Sequence, residues 1–392
     1  MIIANLSGFL LKFETENVRL LQEAGYEVHY ASNADEKGYL YEPGQIEALG
    51  VAFHHIDMAR SPYMFRMNTK ALGQLMALMS REQFCLVHCH TPVGAVLGRL
   101  AASLCRSPKP VVLYTAHGFH FYRGAPLFNQ VVYQMTERLL ARLTDGMVLV
   151  NEEDYREAQT FHLRGNGPVW RIPGTGLDRD RFRPASAGDR HRARECLGIP
   201  QEAFVLLSAG ELNQNKNHAA AIRAVKYLTE RHLPGPDIWY GICGDGFYRE
   251  KLQQYIARLH MQDRVTLCGW QADMPLWYAA ADMTVFPSRR EGLGMAGLEP
   301  LAVGVPVAAA DNRGTREYMK DGQNGFVCRW NDVKGFAKGI QKYRVMPEQE
   351  RLAMRACSIQ STEPFDRKYT DLVMRQVYRE MEARWKNRWE RY

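Results

Sequence analysis

Short apolar runs and helical patterns alternate along the whole chain. "MIIANLS" predicts a first strand, "ETENVRLLQEAG" a helix closed by Gly25, and "YEVHYAS" the next strand. Then come strand "CLVHCH", helix "VGAVLGRLAASLC", strand "PVVLYTAH", helix "FNQVVYQMTERLLARL" and strand "GMVLVN". Such alternation predicts βαβ units and a parallel sheet. At "IPGTGLDRDRFRP" the pattern breaks into Gly, Pro and charge, so a linker is expected at about 175–190. A second series follows: strand "FVLLSAG", helix "HAAAIRAVKYLTERH", then strands "IWYGICG", "RVTLCG", "MTVFPS" and "VPVAAA" with helices between them. The expectation is an α/β chain of two Rossmann-like, doubly wound domains, residues 1–180 and 181–364, facing across a cleft. The tail, 365–392, carries Tyr369, Leu372, Val377, Met381, Trp385 and Trp389 near helical spacing.

Composition narrows the class. The 392 residues are 46% hydrophobic and 24% charged, ample apolar material for two cores and too ordered a composition for a disordered chain. A net charge of +7 is compatible with nucleic acid, an anionic membrane or a phosphorylated substrate. No dense Lys/Arg run of the nucleic-acid-tail type is present, and the basic, aromatic C-terminal tail is read as a packing helix. The eight cysteines form no C-x-x-C pair and read as buried thiols of a reducing compartment. The N-terminus lacks the pattern of a secretory signal, and no apolar run reaches the roughly 18 residues of a spanning helix. A cytoplasmic protein, attached to the inner membrane face, is expected.

In open α/β sheets ligands bind beyond the carboxyl ends of the strands, so chemistry is sought in the loops there. "EGLGMAGLE" follows strand "MTVFPS" directly. Gly292 and Gly294 permit a sharp turn, and a helix starting near Gly294 would offer unpaired N–H groups to a phosphate. Glu299, a little over one turn into that helix, suits a ribose diol, and Glu291 in the loop suits hydroxyls beyond the phosphates. Lys216, after a strand ending at Gly210, could approach a diphosphate from the opposite side. The tight backbone of Gly244 to Gly246 ends another strand, and backbone groups of Cys268 to Trp270 could meet a base edge.

Taken together, "GELNQNKNH", "GDGFYREKL", "LCGW" and "YAAADMTVFPSRREGLGMAGLEPLAVGVPVAAADNRGTREYMKDGQNGFV" resemble glycosyltransferase family 4, the retaining nucleotide-sugar transferases of GT-B fold. In the first half "VHCHTPVGAVLGRLA", "YTAHGFHFYRGAP" and "VNEEDYREA" resemble the branch that builds bacterial capsular and exopolysaccharide repeat units. The resemblance implies reacting groups at His117, Lys216 and Glu291. It implies a donor side of Gly8, Gly210, Asn213, Lys216, Gly244, Gly269, Trp270, Glu291, Gly292, Leu293, Gly294, Met295 and Glu299. Glu299 would bind ribose hydroxyls, Glu291 the donor sugar, the amides of Gly292 to Met295 the diphosphate and sugar, and Lys216 the leaving diphosphate. His117 would sit near the reacting sugar. It further implies residues 1–180 on the acceptor side, 181–364 on the donor side, and 365–392 as a helix returning to the first domain. Two departures stand out: Glu211 where many relatives place an arginine, and "LSGF" with Gly8 alone where many carry paired glycines.

The resulting expectation is a metal-independent retaining hexosyltransferase with no cofactor. It would move sugar from a UDP-sugar, UDP-N-acetylhexosamine or UDP-hexose, to an undecaprenyl-diphosphate-linked acceptor, within a polysaccharide-assembly complex. A UDP-sugar epimerase, a phosphorylase or a non-catalytic partner subunit could share the architecture; retention of both glutamates and Lys216 favours the transferase. A nicotinamide dehydrogenase would need G-x-G-x-x-G after the first strand, which "NLSGFLLKF" lacks. Asp178-Arg-Asp180 spells a D-x-D but lies among arginines and reads as a salt-bridged loop. His88 and His90 share a strand face without an obvious third metal ligand, and His90 is expected to line the cleft. Arg60, Tyr63, Phe65, Arg66 and Lys70 form a basic, aromatic cluster suited to an anionic bilayer and a lipid-linked acceptor.

Overall fold

The computed structural model describes residues 1–36, 44–105, 109–121 and 127–390. The chain divides into two compact units, Met1–Gly176 with Lys368–Tyr392, and Leu177–Arg367. Each holds one parallel sheet with helices on both faces.

The first sheet contains β1 (Ile2–Leu6), β2 (Val28–Asn33), β3 (Val51–His55), β4 (Leu86–Cys89), β5 (Val111–Ala116), β6 (Gly146–Leu149) and β7 (Val169–Arg171), in the order β3-β2-β1-β4-β5-β6-β7. The chain reverses direction of travel between β1 and β4, and every pairing is parallel. Strands buried on both faces need continuous apolar sequence, which "VVLY" and "MVLV" supply. One core layer packs the Phe65–Glu82 and Pro92–Leu104 helices on the sheet. The other packs Val18, Leu20 and Leu21 of the Thr15–Glu23 helix together with Met374, Val377, Tyr378 and Met381 of the Arg367–Trp389 helix. The C-terminal helix is therefore part of the first unit's core. Its Arg388 joins Arg164 on the buried carboxylate of Asp145, which also accepts the backbone N–H of Val112 at 2.7 Å.

The second sheet contains β8 (Phe204–Ala209), β9 (Ile238–Cys243), β10 (Val265–Gly269), β11 (Met283–Phe286), β12 (Val307–Ala310) and β13 (Gly325–Cys328), in the order β10-β9-β8-β11-β12-β13. Strands β3, β7 and β13 were not apparent in the alternation of apolar runs. β3 "VAFHH" and β13 "GFVC" are edge strands only partly buried, and β7 has three residues, so none makes a long apolar run. The "DRD" loop is salt-bridged: Arg367 Nη2 lies 3.2 Å from Asp178 Oδ2, which belongs to the same unit. All eight cysteines are free, with Cys196 and Cys357 exposed. Among the described residues no helix is long and apolar enough to cross a membrane.

Candidate functional site

The carboxyl edge of the second sheet gathers four loops, because β10, β9, β8 and β11 are successive neighbours. Gly210, Gly244 and Gly269, at the ends of β8, β9 and β10, have φ of +145°, +148° and +74°. A Cβ on Gly244 would lie 1.9 Å from the Gly210 carbonyl oxygen, so this close approach of two loops requires glycine. The Lys216 stem packs against Gly210, where a Cβ would stand 3.3 Å from its Cδ and Cε. Asn213 Oδ1 accepts the Lys216 backbone N–H at 3.0 Å and fixes the turn that presents the ammonium. That ammonium donates to Glu291 Oε1 at 2.7 Å and lies 5.5 Å from the centre of the Phe286 ring. The two loops are further laced by Asn215, whose Nδ2 donates to the Arg290 carbonyl at 2.8 Å and whose own carbonyl accepts Arg289 N–H at 2.8 Å. Both side chains of the ion pair keep some exposure, 19% for Lys216 and 13% for Glu291, enough for a ligand to reach them.

The Met295–Val303 helix opens on Gly294, which has φ +89° and no side chain of its own to cap the first N–H groups. A helix start with its macrodipole and a lysine a loop away is suited to an anion. Phe286 packs under Gly294, where a Cβ would come within 2.8 Å of its ring. Tyr318 donates to the Gly294 carbonyl at 3.1 Å. Glu299 Oε2 accepts from the Tyr278 hydroxyl at 3.1 Å, which orients the carboxylate. Burial, reinforced by Glu299, holds the Tyr278 phenol well above its ordinary pKa, so it stays a donor. Gly292 and Met295 flank this turn. Leu293 is buried, so only its backbone can serve a ligand, and its carbonyl is met closely by Gly314. Trp270 is 57% exposed beside Gly269.

The first unit brings three other groups together. β1, β4 and β5 are adjacent, so the segments following them share one edge. These supply Glu14, His90 and His117. His90 Nδ1 and His117 Nε2 are 3.0 Å apart, and Glu14 Oε1 lies 3.3 Å from the first and 3.7 Å from the second. Asn17 Nδ2 donates to the other Glu14 oxygen at 2.7 Å. Burial pushes the Glu14 carboxyl up to about 8, against the pull of Asn17. Burial also pushes His117 down to about 4 and His90 down, the latter helped by His88 and His117. The cluster is thus a neutral hydrogen-bonded set near pH 7 and not an ion pair. Phe9 packs edge-on to His117 with centroids 5.3 Å apart, and Phe13 lies 6.5 Å away. By residue type the three could hold a cation, their ligand atoms lying within 4.8 Å of one another. The buried Nε2 of His90, however, has no acceptor among the described residues, and a metal-bound imidazole ordinarily needs one there.

Two expectations need correcting. His90 is 0% exposed, so it is no lining residue and reaches the exterior only by way of His117, whose side chain is 26% exposed. Gly8 lies buried inside the helical turn Ser7–Phe9 and does not have the positive φ of a phosphate-cradling loop. With Leu10 and Leu11 beginning a π-helical turn, the chain after β1 coils at once instead of looping. His88 is occupied by Thr115 and by the Tyr378 hydroxyl, at 2.8 and 3.2 Å.

Sequence reasoning missed Glu14. The signal was present: Leu10, Glu14, Val18 and Leu21 fall on one helical face, and three of the four are apolar core residues. Tyr278 and Tyr318 were missed too, because aromatic residues in apolar runs read as packing. Arg60, Tyr63, Phe65, Arg66 and Lys70 are all exposed around the start of the Phe65–Glu82 helix, with Tyr63 at 73% and Phe65 at 72%; Lys70 pairs with Asp57 at 2.8 Å. A larger apolar surface lies on the Leu127–Ala141 helix, where Leu127, Val131, Met135 and Leu139 form an exposed i, i+4 stripe flanked by Phe128 and Val132. Residues 122–126 of the "FYRGAP" motif lie outside the described residues.

Two family profiles match the chain. "Glycosyl transferase 4-like" covers residues 2–147 and "Glycosyl transferases group 1" covers 189–356. A protein of Bacillus subtilis named putative glycosyltransferase EpsD is 36% identical over 337 residues, 86% of this chain and 84% of its own length. The UDP-Gal:alpha-D-GlcNAc-diphosphoundecaprenol alpha-1,3-galactosyltransferase of Escherichia coli is 30% identical over 273 residues, 69% of each chain. The crystal structure of Anabaena Alr3699/HepE in complex with UDP superposes with a TM-score of 0.71 over 97% of this chain and 100% of its own, at 19% identity, a likeness of fold.

Proposed function

As the chain belongs to glycosyltransferase family 4 and is a glycosyltransferase of GT-B type, we propose that it transfers a hexosyl or N-acetylhexosaminyl group from a UDP-sugar, with retention, to an undecaprenyl-diphosphate-linked sugar in surface-polysaccharide assembly. The observation that carries the reading is the Lys216–Glu291 pair beside the start of the Met295–Val303 helix. It combines a cation, oriented N–H groups and a carboxylate within one loop cluster, as a sugar diphosphate requires. The lipid-diphosphate acceptor is supported by the substrate named for the Escherichia coli relative.

Before donor arrives, Glu291 holds the Lys216 ammonium in place. Donor diphosphate then competes for Lys216, and Glu291 is released toward the hydroxyls of the sugar. Glu299 takes the ribose diol, oriented by Tyr278. As the bond between the anomeric carbon and the diphosphate oxygen breaks, the electron pair goes to the diphosphate. Lys216 and the helix start stabilise that growing charge; such preorganised groups commonly contribute 10²–10³-fold each. The acceptor hydroxyl attacks from the same face and passes its proton to the departing diphosphate oxygen. His117 orients sugar hydroxyls. No metal or cofactor enters this scheme, because lysine and helix dipole do the work of a cation.

The exposed stripe of the Leu127–Ala141 helix and the Tyr63–Phe65 protrusion support attachment to the membrane that carries such an acceptor. Arg60, Arg66 and Lys70 add cationic side chains near the latter.

The test is UDP release from a panel of UDP-sugars, with and without a lipid-diphosphate sugar, for the wild type and Glu299→Ala. Release with one donor, stimulated by acceptor and abolished in the variant, is expected. Failure of the protein to bind UDP at all would refute the site.

A further inference from the structure

Glu14 is an ionisable group buried to 1% exposure, and the proposed transfer does not use it. Its Oε2 is taken by the Asn17 amide. The exchangeable proton of the carboxyl therefore belongs on Oε1, the oxygen that faces both imidazoles.

We propose that Glu14 is a positioning residue that decides which ring nitrogen of His117 carries the proton, and so whether Nδ1 of His117 offers a donor or an acceptor. When Oε1 is bare it accepts from His90 Nδ1–H. That N–H also points at His117 Nε2, 3.0 Å away, which must then be a bare acceptor. The proton of His117 is left on Nδ1. When Oε1 is protonated it donates to His90 Nδ1 instead. That nitrogen becomes the acceptor, His117 Nε2–H becomes the second donor, and Nδ1 of His117 is bare.

Neither state satisfies every atom, which is why the proton on Glu14 can tip the balance. The bare state buries a carboxylate. The protonated state leaves an N–H on His90 Nε2, which is buried without a partner among the described residues. The carboxyl is raised to about 8, so the exchange falls in an accessible range. Three other titratable groups facing the cluster do not change there. His88, ring to ring with His90, is held neutral down to about 3 by burial. Tyr378 from the C-terminal helix and Tyr30 from β2 have phenols held far above 10 by burial. Lys12 lies over the Phe13 ring. Nδ1 of His117 makes no hydrogen bond among the described residues, so its change of role is delivered to whatever occupies the open side.

The inference rests on the reading of His117 as a sugar-orienting group only for its consequence, and the test separates the two. The ring-nitrogen shifts of His117, assigned with a His117→Gln variant, would be followed by 15N NMR of the ligand-free protein from pH 6 to 10. The wild type is expected to cross from the Nε2–H to the Nδ1–H tautomer near pH 8. Glu14→Gln is expected to stay Nε2–H throughout, since its amide oxygen takes the Asn17 bond and its NH₂ faces His90. Asn17→Ala removes a donor that favours the carboxylate, so its crossing moves to higher pH; it also serves should Glu14→Gln fold poorly. The donor KM should change severalfold across pH 8 in the wild type and stay flat in Glu14→Gln. A single His117 tautomer throughout in the wild type overturns the proposal, as does a crossing that persists in Glu14→Gln. Stoichiometric metal in the purified wild type that Glu14→Gln loses also overturns it. If no sugar transfer is found with any acceptor, the NMR result still stands or falls by itself.

Discussion

The two units build their sites at the same place, the carboxyl edge of a parallel sheet beside its central strands, and fill them with opposite electrostatics. In the second unit Lys216 and Glu291 form a charged pair, open enough to be competed for by a ligand. In the first unit Glu14 and His90 are buried, His117 is partly so, and all three are uncharged near pH 7, held by shared protons. The difference lies in what the backbone does after the strand. After β8, β9 and β10, glycines with positive φ turn the chain sharply, and Lys216 and Glu291 keep part of their surface exposed. After β1 the chain coils directly into Ser7–Phe9 and a π-helical turn, and Phe9 and Phe13 cover the polar groups. Solvent access therefore decides whether a carboxylate near a base is a charge or a proton store.

The sharpest way to break the comparison is to remove the charge from the open site. Lys216→Ala should lower kcat about 10²–10³-fold, by loss of a group that stabilises leaving-group charge. It should leave the circular dichroism and the melting temperature nearly unchanged. A loss under tenfold would mean that the helix start alone carries the diphosphate. The next largest effect is structural: Gly244→Ala forces a Cβ to 1.9 Å from the Gly210 carbonyl at a φ that alanine avoids. A destabilisation of about 1–3 kcal/mol, read as a lower denaturant midpoint, is expected together with weaker UDP binding.

The buried site is tested through pH. His117 and His88 titrate below their unfolded value of 6.5, at about 4 and 3, so the unfolded chain binds more protons between those limits. Their contribution to stability is complete above pH 6.5 and is lost as pH falls toward 4 and below. Glu14 has the opposite sense. Its folded value of about 8 lies above the unfolded 4.5, so the stability it contributes is full below 4.5 and declines as pH rises to 8. Denaturant midpoints across pH 4–9 should therefore show an acid limb, and Glu14→Gln should gain on the wild type, by a few kcal/mol at most, as pH rises from 5 to 8. Equal pH dependence of the two proteins would place Glu14 in water. The smallest effect concerns the surface: Phe128→Asp, on a residue 77% exposed, should leave stability within about 0.5 kcal/mol while reducing flotation with anionic vesicles severalfold.

Much of the open site was legible because its chemistry is local in sequence. Gly292, Gly294 and Glu299 fall within nine residues of Glu291, and Lys216 follows its strand within a single loop. Spacing along one turn carries such information directly. The pairing of Lys216 with Glu291, 75 residues apart, was not legible, nor was the use of Tyr278 to hold Glu299. The buried cluster was missed for the same reason in stronger form: its members are separated by 76 and 27 residues and meet because β1, β4 and β5 are neighbours.

What the amino-acid sequence determined by itself was the alternation of apolar strands and amphipathic helices, the glycine-opened turns, and the residue types at the carboxyl edge of the second sheet. These follow from periodicity and backbone permission, which act over a few residues. Only the tertiary structure decided which residues of the C-terminal helix enter the first unit's core, Met374, Val377, Tyr378 and Met381, and that a glutamate in "KFETE" lies against two histidines. The same holds for His90 being sealed away while His117 reaches the surface. Strand order and burial set these outcomes, and both are properties of segments far apart in the chain that become neighbours only when the sheet forms.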